Sequence, residues 1–139
     1  MRVVLDTNIL ISAFVFPGGA PEFVYRAAIQ RRIELVTSPV LLAELGRVLS
    51  GEFGWDPAMA EEVVRQIAQI GTIVRPTRHL SVIEADPDDD RALEAAVAGE
   101  ADTIVSGDRH LIRLARWEGI RILKAPALLS ELGIERSGV

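Results

Sequence analysis

Four acidic side chains far apart in the chain, Asp6, Glu44, Asp90 and Asp108, occupy positions from which they could converge. Asp6 and Asp108 each stand where an apolar run ends and a helical pattern begins. Glu44 and Asp90 border the apolar faces of helices. Together they offer only oxygen donors, because the chain has no cysteine and its two histidines, His79 and His110, lack the spacing of a zinc site. An all-oxygen set suits Mg2+ or Mn2+, hard ions that keep several waters and bind phosphate oxygens. The matching chemistry is hydrolysis of a phosphodiester: one ion lowers the pKa of an attacking water, another steadies the leaving oxygen, and no protein nucleophile is needed.

Each of these acids also has an ordinary explanation. Asp6 and Asp108 could simply cap the helices they precede, and Glu44 could be a solvated neighbour of the core. The stretch Glu84-Ala85-Asp86-Pro87-Asp88-Asp89-Asp90 is harder to dismiss, since five of its seven residues are acidic. Asp86 as N-cap, Pro87 as first helical residue and acids in the first turn account for two or three of them. Asp89 and Asp90 both flank the stripe of Leu93, Ala96 and Val97 and are carried toward the core, where adjacent carboxylates without a cation would repel.

The elements that must position these groups can be read from periodicity. Arg2 to Leu5 is a short apolar run with two β-branched residues, suited to a strand covered on both faces. Helical spacing resumes at Ile9, Leu10, Ile11 and Phe14 and breaks at Pro17-Gly18-Gly19-Ala20-Pro21. A helix from about Glu22 to Arg31 and a strand at Ile33 to Val36 follow, so strand, helix and strand imply a βαβ crossover and a parallel sheet. Ser38 and Pro39 open a helix whose stripe is Leu41, Leu42, Leu45, Val48 and Leu49. Ala58 to Ile70 is a further helix, Thr72 to Val74 a short edge strand, and Ala101 to Val105 a strand like the first. A helix from Arg109 to Arg116, a strand at Arg121 to Leu123 and a short helix from Ala127 to Leu132 complete the chain, with a frayed tail expected from Glu135. In open α/β sheets ligands bind beyond the carboxyl ends of the strands, where Asp6 and Asp108 fall.

The 139 residues fit a single domain, 1–139, with a core that needs no disulfides. Asp6 interrupts the first apolar run too early for a signal peptide, and no later run reaches membrane-spanning length, so a soluble, cytoplasmic protein without a membrane partner is expected. With 15 basic and 20 acidic residues the net charge is −5, which argues against coating nucleic acid through bulk charge. Four acids neutralised by cations would leave the remainder near balance. All the basic residues except Lys124 are arginine, which limits mechanisms that need a lysine base. Arg75 and Arg78, in an exposed turn, are candidate phosphate contacts.

At this point the sequence resembles a known family. Asp6-Thr7-Asn8-Ile9-Leu10 after an apolar strand, the helical Glu44, Asp90 followed by Leu93, Ala95 and Ala96, and Val105-Ser106-Gly107-Asp108 look like the four acidic motifs of PIN domains. The likeness runs from residue 2 to about 130, closest to VapC-like ribonucleases, the toxin components of toxin–antitoxin pairs. It implies an α/β three-layer sandwich, with a central parallel sheet of four to five strands and helices on both faces. It further implies Mg2+ or Mn2+ at Asp6, Glu44, Asp90 and Asp108, with Asp89 as the alternative to Asp90, and endonucleolytic cleavage of RNA. Asn8 and Ser106 would orient carboxylates or waters, and Arg109 would join Arg75 and Arg78 as RNA contacts. The implied partners are an RNA substrate, a small cognate antitoxin protein that places an arginine or lysine in the acidic pocket, and a second copy in a homodimer.

Two other readings compete. A phosphoacceptor receiver domain has similar size and layout, with Asp56 in Gly54-Trp55-Asp56-Pro57 as the nearest acceptor and Lys124-Ala125-Pro126 resembling its late lysine motif. A PIN-like module that binds RNA or protein without cutting is the second.

Overall fold

The computed structural model describes residues 1–135; the tail expected to fray lies, beyond Glu135, outside the described residues. Strand β1 (Arg2–Leu5) feeds α1 (Thr7–Val15), followed by α2 (Ala20–Ile29), β2 (Glu34–Thr37), α3 (Pro39–Gly51), α4 (Pro57–Ile70) and β3 (Thr72–Ile73). An extended stretch then leads into a 3-10 turn (Pro87–Asp89), α5 (Asp90–Ala98), β4 (Thr103–Val105), α6 (Arg109–Leu114), β5 (Arg116–Trp117), β6 (Ile120–Leu123) and α7 (Ala125–Leu132).

The strands form one sheet in the order β3-β2-β1-β4-β6-β5. β1 lies at its centre, in parallel register with β2 through Val4 and Val36 and with β4 through Val4 and Ile104. Alternation along each strand sends neighbouring side chains to opposite faces. Val3, Leu5, Leu35 and Val105 enter one core with α1, α2, α3, α4 and α7. Val4, Val36 and Ile104 enter the other with α5 and α6. Full burial of a single leucine such as Leu5 or Leu45 contributes about 1.5–3 kcal/mol, so the β1 strand is pinned from both sides. The result is the three-layer α/β sandwich with helices on both faces.

The sheet has six strands rather than the expected four to five, and its edge is not parallel. β5 pairs with β6 in antiparallel register, Trp117 opposite Ile120. The expected helix to Arg116 stops at Leu114 because Ala115 takes a φ of 63°. Glu118 and Gly119, with φ of 48° and 80°, then form a two-residue turn whose twist suits a hairpin. Among the described residues, no helix is long and apolar enough to cross a membrane.

Candidate metal centre

Three of the acids sit at strand or turn ends where a helix must begin, and each spends one oxygen on that beginning. Asp6 ends β1 and its Oδ1 accepts the Thr7 N–H at 2.9 Å. Asp108 follows β4 and its Oδ1 accepts from His110 at 2.8 Å and Leu111 at 3.4 Å. Asp86 precedes the 3-10 turn and accepts from Asp88 at 3.1 Å. A carboxylate has a second oxygen, which capping leaves available to other partners.

Because β1 and β4 are parallel neighbours, Asp6 and Ser106 emerge side by side. The Ser106 hydroxyl donates to Asp6 Oδ2 at 2.7 Å and accepts the Asp108 N–H at 3.0 Å. The Asn8 side-chain amide donates to Asp6 Oδ2 at 3.1 Å, and its carbonyl oxygen accepts the Gly107 N–H at 2.9 Å. Asn8 and Ser106 thus stitch the two strand ends together and fix the Asp6 carboxylate.

Asp86, Asp89 and Asp108 each present an oxygen within 4.8 Å of the others. Asp89 is 7% exposed, and its Oδ2 is buried with no hydrogen-bond donor among the described residues. Burial, reinforced by the Asp108 charge and hydrogen bond, pushes the Asp89 carboxyl up to about 8. Burial also raises Asp108, but hydrogen bonds from protonated Asp89 and from the His110 and Leu111 N–H groups outweigh it and hold Asp108 below the usual range. The pair therefore shares one proton. Burial raises Asp6 as well, opposed by its bonds from Ser106 and Thr7 and aided by the Asp108 charge. Glu44, half-buried on α3, is raised by burial and by the charges of Asp6 and Asp88. The Thr7 hydroxyl beside it lowers it somewhat, without making a well-formed hydrogen bond. Asp6, Glu44, Asp89 and Asp108 belong to one field of mutually repelling carboxylates, a set that a hard divalent cation fits.

Asp90 is turned elsewhere. Its Oδ1 accepts the N–H groups of Val82 and Ile83 at 2.9 and 3.0 Å, so it anchors the extended stretch before the acidic turn. Of the two adjacent acids, Asp89 joins Asp108, and Asp90 is a buried structural acceptor. Sequence reasoning reaches Asp86 only as a cap; the density of acids around it is the signal that points further. Arg109 is exposed at the start of α6 beside Asp108, and Arg75 is exposed after β3. Arg78 pairs with Glu118 at 3.2 Å and lies 5.8 Å from the Trp117 ring centre, tied to the β5–β6 hairpin. The receiver layout is absent: Asp56 caps α4 by accepting from Ala58 at 2.8 Å and lies between two helices rather than at a strand end.

A mostly parallel sheet between helical layers, with acids gathered at the carboxyl ends of its central strands, defines an α/β protein with a site suited to divalent ions. Residues 2–110 match the family model described as PIN domain, and the chain belongs to that family. It is 29% identical over 118 residues to the uncharacterized protein MJ1680 of Methanocaldococcus jannaschii, covering 82% of this chain and 75% of that one. The fold is similar to VapBC2 from Rickettsia felis, solved with a DNA fragment from its promoter (TM-score 0.63, 15% identity, 89% of this chain and 98% of that chain). It is also similar to PAE2754 from Pyrobaculum aerophilum (TM-score 0.55, 15% identity, 96% and 98%).

Proposed function

We propose that the protein is a Mg2+- or Mn2+-dependent endoribonuclease that hydrolyses RNA phosphodiesters, acting as the toxin of a toxin–antitoxin pair. The observation that carries this reading is the grouping of Asp86, Asp89 and Asp108 within 4.8 Å around a buried, unpartnered Asp89 oxygen. Such an arrangement is costly for the bare protein and suited to an ion. Asp89, rather than Asp90, takes the third metal-site role, beside Asp6, Glu44 and Asp108, and Asp86 adds a further oxygen. A divalent ion held by these carboxylates would supply charge against the phosphate and would acidify a water for in-line attack.

The remaining work falls to this chain's own groups. Ser106 and Asn8 hold the Asp6 carboxylate toward the cleft by the bonds described above. Glu44, half-buried on α3 and raised by burial, adds its carboxylate to the same set. Arg75 and Arg109 are exposed to meet RNA phosphates. The toxin assignment draws support from the Rickettsia felis neighbour, a VapBC2 assembly. On that reading the partners are a small cognate antitoxin that inserts an arginine or lysine among the acids, and a second copy in a homodimer, in the cytoplasm.

The test is Mn2+-dependent cleavage of a mixed set of RNAs by the wild-type protein, Asp6→Asn and Asp89→Asn. Cleavage by the wild type alone, abolished by chelator, is the expected result. Equal cleavage by all three would mark a contaminating nuclease and remove the enzymatic claim. Binding without cleavage would favour the non-cutting module.

A further inference from the structure

The sheet register continues past the acid site. Val105 pairs with Leu123, and the Ser106 N–H donates to the Leu123 carbonyl at 3.0 Å, so Lys124 emerges beside Ser106 as Ser106 emerges beside Asp6. Reading along the carboxyl edge, the order is Asp6, Ser106, Lys124. A groove of about 650 Å³ opens there, lined by Asn8, Ser12, Ser106, Asp108, Lys124 and Pro126 among others. Its volume falls within the usual range for sites that take small organic groups, about 300–1,000 Å³. Ile9, Ala20, Pro21 and Ala125 give it apolar walls, while Asn8, Ser106 and Asp108 belong equally to the acid site.

Among the described residues, Lys124 is the only cation lining this groove. Its side chain is exposed and makes no ion pair or hydrogen bond among the described residues. Three arginines are held in ion pairs instead: Arg78 by Glu118, Arg91 by Glu94 at 3.0 Å, and Arg121 by Glu131 at 2.7 Å. A free ammonium two strands from Asp6, across a groove with apolar walls, matches the alternation of a polynucleotide: phosphate, sugar and base, phosphate. Phosphate contacts by lysine fix the register of a strand without reading its sequence.

We propose that this groove holds the nucleotide adjoining the scissile phosphate of single-stranded RNA, with Lys124 contacting the next phosphate. The proposal rests on the ribonuclease reading and assigns that site a direction: the substrate strand runs from the acids across Ser106 toward the start of α7.

The experiment measures binding of a fluorescent single-stranded RNA in Ca2+, in place of Mn2+ or Mg2+, over a range of salt. Lys124→Ala and Lys124→Glu are compared with Lys124→Arg and with Arg31→Gln, a charge removed at the opposite edge of the sheet. Loss of one phosphate contact lowers the slope of log affinity against log salt by about 0.7. The expected result is that reduction in Lys124→Ala, severalfold weaker binding in Lys124→Glu, recovery in Lys124→Arg and no change in Arg31→Gln. In cleavage assays KM rises and kcat is largely kept. If the wild type binds and cleaves and the Lys124 variants match it, the groove assignment fails while the ribonuclease reading stands. If the wild type binds without cleaving and Lys124→Glu loses binding, the groove stands and the enzymatic reading falls. No RNA binding by the wild type, or equal losses in Lys124→Ala and Arg31→Gln, overturns the groove.

Discussion

Replacing Asp89 by asparagine should stabilise the metal-free protein at alkaline pH while abolishing its response to Mn2+. The folded-state pKa of Asp89 is pushed up to about 8 from an ordinary value of 3.8. A carboxyl raised in this way favours the fold below about pH 4 and withdraws that contribution as pH climbs through about 8. At about 1.4 kcal/mol per unit the ceiling is on the order of 5 kcal/mol. Asp108, whose own pKa is lowered, contributes stability already complete above about pH 4 and so leaves the slope to Asp89; with solvent and relaxation around the ionised pair, a loss of a few kcal/mol is expected. For a chain of this size that corresponds to roughly 8 °C in Tm. Asparagine keeps the shape and a donor toward Asp108 but cannot ionise. Thermal melts in chelator from about pH 4 to about pH 9 should show the wild type losing Tm with rising pH and Asp89→Asn staying nearly flat, the two curves meeting near pH 4. Added Mn2+ at about a hundred times its Kd should return about 2.7 kcal/mol to the wild type near pH 8 and little to the variant. Parallel curves, or equal Mn2+ stabilisation of both proteins, would refute the argument that a buried, repelling carboxylate pair forms the ion site.

Neighbouring features give three further expected outcomes. Asp90→Ala should lower stability by about 1–3 kcal/mol, since the Val82 and Ile83 N–H groups lose their acceptor, yet should retain Mn2+ binding by calorimetry; loss of binding with an intact fold would return the metal role to Asp90. Ser106→Ala removes the bond to Asp6 and the acceptor for the Asp108 N–H, so denaturant melts should show a loss of about 1–3 kcal/mol, and Mn2+ affinity should fall as Asp6 is freed to turn. Gly99→Ala would place a Cβ 2.5 Å from Val36 Cγ1 and 3.2 Å from the Ala95 carbonyl, and overpacking against a β-branched neighbour should cost about 1–3 kcal/mol without altering metal affinity per folded molecule.

The central architecture is readable in the sequence because β1, α3 and β4 carry strong local signals: unbroken apolar runs, a Ser-Pro helix start and a five-member leucine and valine stripe. The β5–β6 hairpin is not, because Glu118-Gly119 is a weaker turn signal than Asn-Gly and nothing in the sequence announces the positive φ of Ala115. The acidic segment misleads by one residue for a geometric reason. A 3-10 turn advances about 120° per residue and an α-helix about 100°, so the three residues from Pro87 turn the start of α5 by about 60° relative to a continuous helix. That rotation carries Asp89 to Asp108 and Asp90 to the Val82 and Ile83 N–H groups. Capping and ion binding also look like competing explanations for Asp6 and Asp108 when only the sequence is considered. In the structure one oxygen of each caps, while the second Asp6 oxygen accepts from Ser106 and Asn8 and Asp108 joins the cluster with Asp86 and Asp89.

The bond between Ser106 and Asp6 joins residues 100 positions apart, and β4 cannot pair with β1 until it has been made. On the ribosome, Asp6 therefore waits without Ser106 and Asp108 until the chain has grown past β4. A product terminated before β4 would carry Asp6, Glu44, Asp86 and Asp89 without Asp108 or the strand that brings it to them, so the fold itself withholds the site until that strand has been made.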